Sequence, residues 1–464
     1  MKTGFFITLS CLWLAATLGF AQTSSLTVVE ENGSRATRLN LVFLSEGYTS
    51  GEMHLFATDV QTVVDFLFTK EPWLRYRSYF NIYRIQIASN ESGTDNGEAG
   101  GQRDTYFQTG FVTPGIEQLN TMSSTGSSRA YSLLNKHVPE YDLPIILIND
   151  AKYGGSGGPI ALVSTHQDSA GILEHEVGHS FAKLTDEYDF NYPGYPATEF
   201  PNATAKTLRS QIRWNVWIDP LTPLPTPEPD FENYDPDYPY DLTIGLFEGA
   251  NYRASGWYRP HENALMRSLF EEPGSVTREA LILTFYSKVS PVDGQSPAPN
   301  LTMSNQQMLT FQALTKIPTA GDPLSVRWLK NGVEISGSSG STLQIPSTSL
   351  GNGRHVIKAV VRDDTPWVRR DPTRLVEDEL VWNVVLSNQT DPTILQPMPA
   401  SRVLPLQDTF TADATATGSG PVTYEWLKDG KAFKPAVSTP QLSVPVSVLG
   451  SAGNYTVKLS SQGV

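Results

Sequence analysis

His175-Glu176-Val177-Gly178-His179 sets two imidazoles and a carboxylate at the spacing a zinc centre uses. On a helix, residues four apart share a face, so both rings can point at one ion. Zinc accepts neutral imidazole nitrogen and keeps one position open for catalysis. Glu176 follows the first histidine and can act as general base toward a water, then pass the proton to a leaving amine. The ion itself lowers the pKa of such a water to about 7. The bland alternative is a chance pairing on a surface helix. With seven histidines in 464 residues, two of them framing a glutamate is the less economical accident.

A zinc centre needs a third protein ligand. Asp186 stands 11 positions after His175. A continuous helix rising 1.5 Å per residue would carry it about 16 Å away. The helix must therefore stop and the chain fold back. No glycine lies between His179 and Asp186 to ease that reversal. Ala182 or Lys183 is then expected in a left-handed conformation, at a cost of roughly 1–2 kcal/mol. Glu187 is the competing ligand, and Asp186 could instead hold a histidine ring from behind the metal.

Other residues with chemical potential have plainer readings beside them. Tyr258 could donate a hydrogen bond to a transition state, or simply pack. His166 and His261 could be ligands or oxyanion donors, and are more often ordinary polar residues. Glu248 reads as structural. Gly154, Gly155, Gly157 and Gly158 resemble a phosphate cradle, but no Lys-Ser/Thr follows, so a flexible turn is expected. The acidic stretch 230–241 could hold calcium but lacks EF-hand spacing.

These residues need a scaffold. Leu39–Leu44 and Leu143–Ile148 read as buried strands, Phe80–Ile87 as an alternating one, and Ala161–Ser164 as a short one. In a peptidase cleft the last would pair with extended substrate backbone. Met53–Phe68 has apolar residues at helical spacing, and Gly171–Leu184 is expected as the helix bearing the histidines. Strands with intervening helices imply an α/β or α+β catalytic unit. Seven prolines within 219–241 mark an irregular loop.

Beyond a Ser, Pro and Gly-rich stretch near 287–299 the texture is β, with an internal repeat. Val326–Gly332 (VRWLKNG) corresponds to Tyr424–Gly430 (YEWLKDG), and the two tryptophans stand 98 positions apart. That is about one sandwich domain. Asn331-Gly332 and Asp429-Gly430 predict hairpin turns. Both units resemble immunoglobulin-like domains. Tyr455 stands at a tyrosine-corner position with Val457 where a cysteine is usual, and His355 and Ile357 hold the matching places. The expected organisation is a signal peptide (1–21), a metallopeptidase domain (22–290), a linker (291–299), and Ig-like domains over 300–388 and 389–464. The second Ig-like domain could be incomplete at Val464.

His175–Tyr188 (HEVGHSFAKLTDEY) resembles the signature of the IgA-specific metallopeptidase family, a metzincin-like group of bacterial zinc peptidases. Leu41–Tyr48 (LVFLSEGY), Tyr79–Gly93 (YFNIYRIQIASNESG), Ile148–Gly158 (INDAKYGGSGG), Gly245–Tyr252 (GLFEGANY) and Tyr258–Arg267 (YRPHENALMR) match the same pattern. The resemblance covers about residues 36–290. It implies a metzincin-like fold with Met266 in a methionine turn beneath the metal, one catalytic Zn2+, and peptide bonds as substrate. The family commonly has glycine between the second histidine and the DEY triplet; this chain does not.

Composition limits the alternatives. The formal net charge is -14, from 34 Lys+Arg against 48 Asp+Glu. That argues against binding a phosphate backbone, so no nucleic-acid partner is expected. Lys2, an apolar run to Leu18 and Gly19-Phe20-Ala21 read as a signal peptide cleaved after Ala21. The one cysteine, Cys11, falls within it, leaving neither disulfides nor thiolate ligands in the mature chain. No later stretch reaches the roughly 18 apolar residues of a membrane helix. The expected product is a secreted or periplasmic bacterial endopeptidase whose Ig-like domains could contact a cell surface or glycan. The rival reading is a catalytically weak, zinc-stabilised adhesion protein. A third is a zinc hydrolase of non-peptide amides.

Overall fold

A computed structural model describes residues 22–97, 101–229, 238–304, 308–387 and parts of 393–461. The expected signal peptide with Cys11, most of the acidic 230–241 stretch and the Tyr455 side chain lie outside the described residues. The described chain forms a mixed α/β protein with several sheets, in two compact units.

The first unit comprises residues up to Glu30, Asn40–Val64 and Ile82–Glu176. Its strands and helices run β1 (Ser25–Glu30), β2 (Leu39–Glu46), α1 (Met53–Leu67), α2 (Trp73–Tyr76), β3 (Phe80–Gln86), β4 (Thr109–Gly110), β5 (Thr121–Met122), α3 (Ser124–His137), β6 (Leu143–Ile148), β7 (Gly155–Ser156), β8 (Ala161–Ser164) and α4 (Ser169–Ala182), with α2 and one end each of α1, β2, β3 and α4 belonging to the second unit. Six of the strands make one sheet in the order β1-β3-β2-β6-β8-β7. β2, β6 and β8 are parallel, while β1 and β7 run antiparallel to their neighbours. Parallel strands covered on both faces need continuous apolar runs, and Leu143–Ile148 (LPIILI) is buried at every position.

The expected strand over Ala161–Ser164 forms but is not the sheet edge. β8 lies between β6 and β7, so its backbone is already paired and cannot take a substrate strand. The edge is β7, which takes in Gly155 of the four glycines that read as a flexible turn. Helix α3 was not apparent in the sequence, because its first half is Ser- and Gly-rich. Ser123 caps it, accepting from Gly126 N at 2.9 Å, and Ala130, Leu133 and Leu134 pack into the sheet core.

The second unit holds Glu31–Leu39, Asp65–Asn81 and the chain from Val177. It contains β9 (Phe247–Glu248), β10 (Tyr258–Arg259) and α5 (Ser275–Lys288). Trp73, Tyr76 and Phe181 surround Phe285 of α5, with ring centroids 5.1–5.8 Å from it. The strands β11 (Val292–Ser296), β12 (Asn300–Ser304), β13 (Met308–Thr315), β14 (Ser325–Lys330), β15 (Val333–Ser339), β16 (Thr342–Pro346), β17 (Gly353–Arg362) and β18 (Glu377–Ser387) follow. They form sheets ordered β11-β13-β16 and β12-β18-β17-β14-β15 around one core. In that core the Trp328 and Trp382 rings stack at 5.5 Å.

Residues 291–299, expected as a linker, are part of this sandwich. β11 pairs with β13, and the Pro297 carbonyl accepts from Trp382 Nε1 at 2.9 Å. Polar, Pro- and Gly-bearing sequence is tolerated there because β11 is an edge strand. The hairpin expectation holds at both repeats. Asn331 and Gly332 have φ of 50° and 83°, and Asp429 and Gly430 have 50° and 77°, as a primed turn requires. His355 Nε2 hydrogen-bonds the Gly351 carbonyl at 3.0 Å, a corner contact, not a metal contact. Of the second repeat, the described strands include Val422–Lys428 paired with Tyr455–Ser461.

Candidate metal centre

Helix α4 carries His175 and His179 one turn apart. It ends at Ala182, and Lys183 takes φ 55°, the left-handed reversal the glycine-free sequence demands. Leu184 N then bonds back to the Gly178 carbonyl at 3.1 Å. The reversal brings Asp186 to the histidines: one ligand atom from each of His175, His179 and Asp186 lies within 4.8 Å of the others. Glu187, the competing ligand, is fully buried and turned to other work. Its Oε1 accepts from Asn202 Nδ2 at 2.9 Å, and Oε2 has no partner. Burial pushes its pKa up to about 7 against the pull of the Asn202 bond.

The hydrogen bonds decide the protonation of His179. Its Nδ1 lies 2.8 Å from the Leu184 carbonyl, which can only accept. Nδ1 therefore carries a proton, and Nε2 is the nitrogen left to meet a metal ion or a second proton. That Nε2 stands 3.4 Å from Asp186 Oδ1. Two electron-rich atoms facing each other are stable only with a cation or proton to share. The donor set, two imidazoles and a carboxylate, suits zinc with an open fourth position.

Several features surround these residues, of which the sequence reading anticipated only Met266. The Tyr252 hydroxyl hydrogen-bonds Asp186, and its pKa is raised by burial and by that carboxylate. Asn251 and Tyr252 both hold φ 54°, an uncommon conformation for such residues. The Tyr252 ring is held by Tyr188, Phe190 and Tyr195 at 5.5, 5.2 and 4.5 Å. Beneath α4, a Cβ added to Gly178 would come 2.8 Å from Met266 Sδ, so only glycine lets this methionine approach the helix so closely. On the sheet side, a Cβ on Gly155 would meet Glu176 Cγ at 3.1 Å. Tyr153 also feels Glu176: burial first, then the charges of Glu176 and Asp168, push its phenol pKa up.

Other expected site residues have surroundings of their own. Tyr258 is buried in a cluster with Trp214, Trp217 and Leu246, its backbone paired with Thr204. His166 Nδ1 accepts from Asp168 N at 3.1 Å, beside the start of α4. Glu248 ties down a turn by accepting from Gly256 N at 2.8 Å. His261 packs its ring on Gly274, and its Nδ1 has no partner. Burial, and then Arg278, lower its pKa to about 4.

Residues 27–238 match the family model described as IgA Peptidase M64. No curated protein matches the chain. Among solved structures, fibronectin(III)-like modules of Clostridium thermocellum CbhA share 20% identity at TM-score 0.18, covering 36% of this chain and 82% of theirs. Immunoglobulin domains 1–5 of Sidekick-1 share 21% at TM-score 0.15, covering 36% and 38%. A titin I-band fragment shares 16% at TM-score 0.14, covering 35% and 61%. No helix among the described residues is long and apolar enough to cross a membrane.

Proposed function

We propose that the chain, whose residues 27–238 match the model of the IgA peptidase M64 family, is a secreted zinc-dependent endopeptidase acting on extracellular proteins. The observation that carries the reading is the convergence of His175, His179 and Asp186, with Glu176 next to the first ligand. The two imidazoles and the Asp186 carboxylate would hold Zn2+, and the Met266 turn would support it from below. When bound, zinc supplies Lewis acidity and lowers the pKa of a water to about 7.

The chain's own residues do the rest. Glu176 accepts the proton of the attacking water at its carboxylate and returns it to the nitrogen of the departing amine. Gly155 leaves room for the Glu176 stem, so the strand backbone packs against the general base. Leu184 fixes His179 in the tautomer that ligates. Tyr258 is retained as a transition-state donor, which Tyr258→Phe tests: a loss of about 100-fold in kcat supports the role. A loss under about 3-fold leaves it as packing.

Secretion rests on the charged and apolar leader over residues 1–21. Casein hydrolysis by the mature full chain, compared with Glu176→Ala, tests the whole. Fragment release by the wild type and not by the variant supports the reading. Equal inactivity of both, at one zinc per chain, refutes it.

A further inference from the structure

Tyr153 stands just ahead of β7, beside the candidate general base and within the same unit. Two residues after it, Gly155 packs on the Glu176 stem, where an added Cβ would meet Glu176 Cγ at 3.1 Å. The Tyr153 ring is set edge-on against His166, with centroids 5.3 Å apart at 83°. His166 is itself held, its Nδ1 accepting from Asp168 N at 3.1 Å immediately before α4. The phenol is thus anchored through its ring at the entry of the helix that carries Glu176.

Its other end is open. Tyr153 is 42% exposed. No hydrogen bond contributes to the state of its hydroxyl. Burial does, followed by the charges of Glu176 and Asp168, and all three push its pKa up. The proton therefore stays on the phenol oxygen at neutral pH. The result is a fixed O–H donor, open to solvent, with the carboxylate of the candidate base acting on it. Tyr258 is placed differently: its ring is buried in an apolar cluster, and the charge acting on its phenol is that of Glu248.

We propose that Tyr153 is a further catalytic residue, whose phenol donates a hydrogen bond to the carbonyl oxygen of the peptide bond being cleaved. The inference rests on the peptidase reading above and adds a donor to it, measured separately from Tyr258. As the water oxygen bonds to the carbonyl carbon, the water's proton passes to Glu176 and the carbonyl π pair moves onto oxygen. That pair then re-forms the carbonyl, the C–N bond breaks, and the nitrogen leaves with the proton from Glu176. The phenol keeps its own proton throughout. Its O–H faces more negative charge in the tetrahedral state than in the substrate, so the bond strengthens as the barrier is climbed.

The test is Tyr153→Phe, which keeps the ring and its contact with His166 and removes only the hydroxyl. The substrate is a fluorogenic peptide copied from a casein segment that the zinc-loaded full chain cleaves. In the variant kcat should fall about 100-fold, with KM within threefold of the wild type and zinc content and thermal midpoint unchanged. A phosphinic peptide of the same sequence imitates the tetrahedral anion, and its affinity should fall at least tenfold in the variant. A variant that keeps kcat within threefold overturns the role and leaves the peptidase standing. So does a rise in KM at unchanged kcat, which would make the phenol a contact to the substrate alone. So does an unchanged affinity for the phosphinic peptide. A wild type that cleaves no casein and no peptide overturns both readings.

Discussion

Asp363 and Asp186 are both buried carboxylates of the second unit, and their surroundings are opposite. Asp363 Oδ1 accepts from Arg75 Nη2 at 2.8 Å and Thr365 N at 3.1 Å. Its Oδ2 accepts from Tyr76 at 2.5 Å and Tyr286 at 2.8 Å. Every contact is a donor and the guanidinium balances the charge. Asp186 also has a donor in Tyr252, and its Oδ1 stands 3.4 Å from Nε2 of His179. The first carboxylate is closed by donors; the second faces an imidazole nitrogen with which it can share a proton or a metal ion. The first arrangement is complete as protein alone. The second asks for a cation.

The sharpest way to break this contrast is to remove a ligand. His179→Ala should reduce zinc from about one per chain to a trace, because a metal held by two protein groups is lost at ordinary chelator levels. Elemental analysis after dialysis reads this out, and a variant that keeps its zinc would mean the cation sits elsewhere. Next in size is the donor-closed carboxylate. Asp363→Ala strands a buried arginine and two phenols and should cost about 3–5 kcal/mol in urea unfolding. Its zinc-to-chain ratio should not change while the protein remains folded. A loss of zinc with no loss of stability would reverse the two roles.

Tyr252→Phe probes the hydrogen bond that Tyr252 gives Asp186. Removing an outer partner of a ligand should weaken zinc about 10–100-fold, measured by competition with a chromogenic chelator. An unchanged affinity would reduce the aromatic cage around Tyr252 to packing. The smallest effect concerns His261, a buried group with an idle nitrogen and the Arg278 charge acting on it. Its folded pKa of about 4 lies below the ordinary histidine value of 6.5, so the unfolded chain binds the extra proton between those pH values. Stability should therefore fall as pH drops from 6.5 toward 4, by about 1–3 kcal/mol, and be fully present above that window. His261→Gln should flatten that slope in urea midpoints taken across the window.

What could be read from the sequence was local. His175, Glu176 and His179 lie within one helical turn, so spacing alone shows that they share a face. The reversal after Ala182 was legible because ligation and the lack of glycine together leave few residues to bend. Asp186 and Glu187 could not be separated, since adjacent carboxylates differ only in the side of the turn they occupy. The partners that separate them, Asn202 and Tyr252, are 15 and 65 positions away from Glu187. The β7 edge was missed because four glycines in five residues imitate a turn, and α3 because serines hide a helix whose apolar side is short. The sandwich hairpins were plain, since Asn-Gly and Asp-Gly carry their geometry in two residues. The 291–299 strand was not, because an edge strand and a linker share a composition.

Lys183 gives the architecture one further consequence. Its side chain is exposed, while its backbone conformation alone turns the chain back toward the histidines. Occupancy of the proposed metal site would thereby depend on a position outside the proposed ligand set. A β-branched residue there would resist the left-handed rotation and unseat Asp186 from outside the site. A glycine would relax it. Two solvent-facing substitutions at one residue can thus tune the grip on the metal in opposite directions, leaving all three liganding side chains as they are.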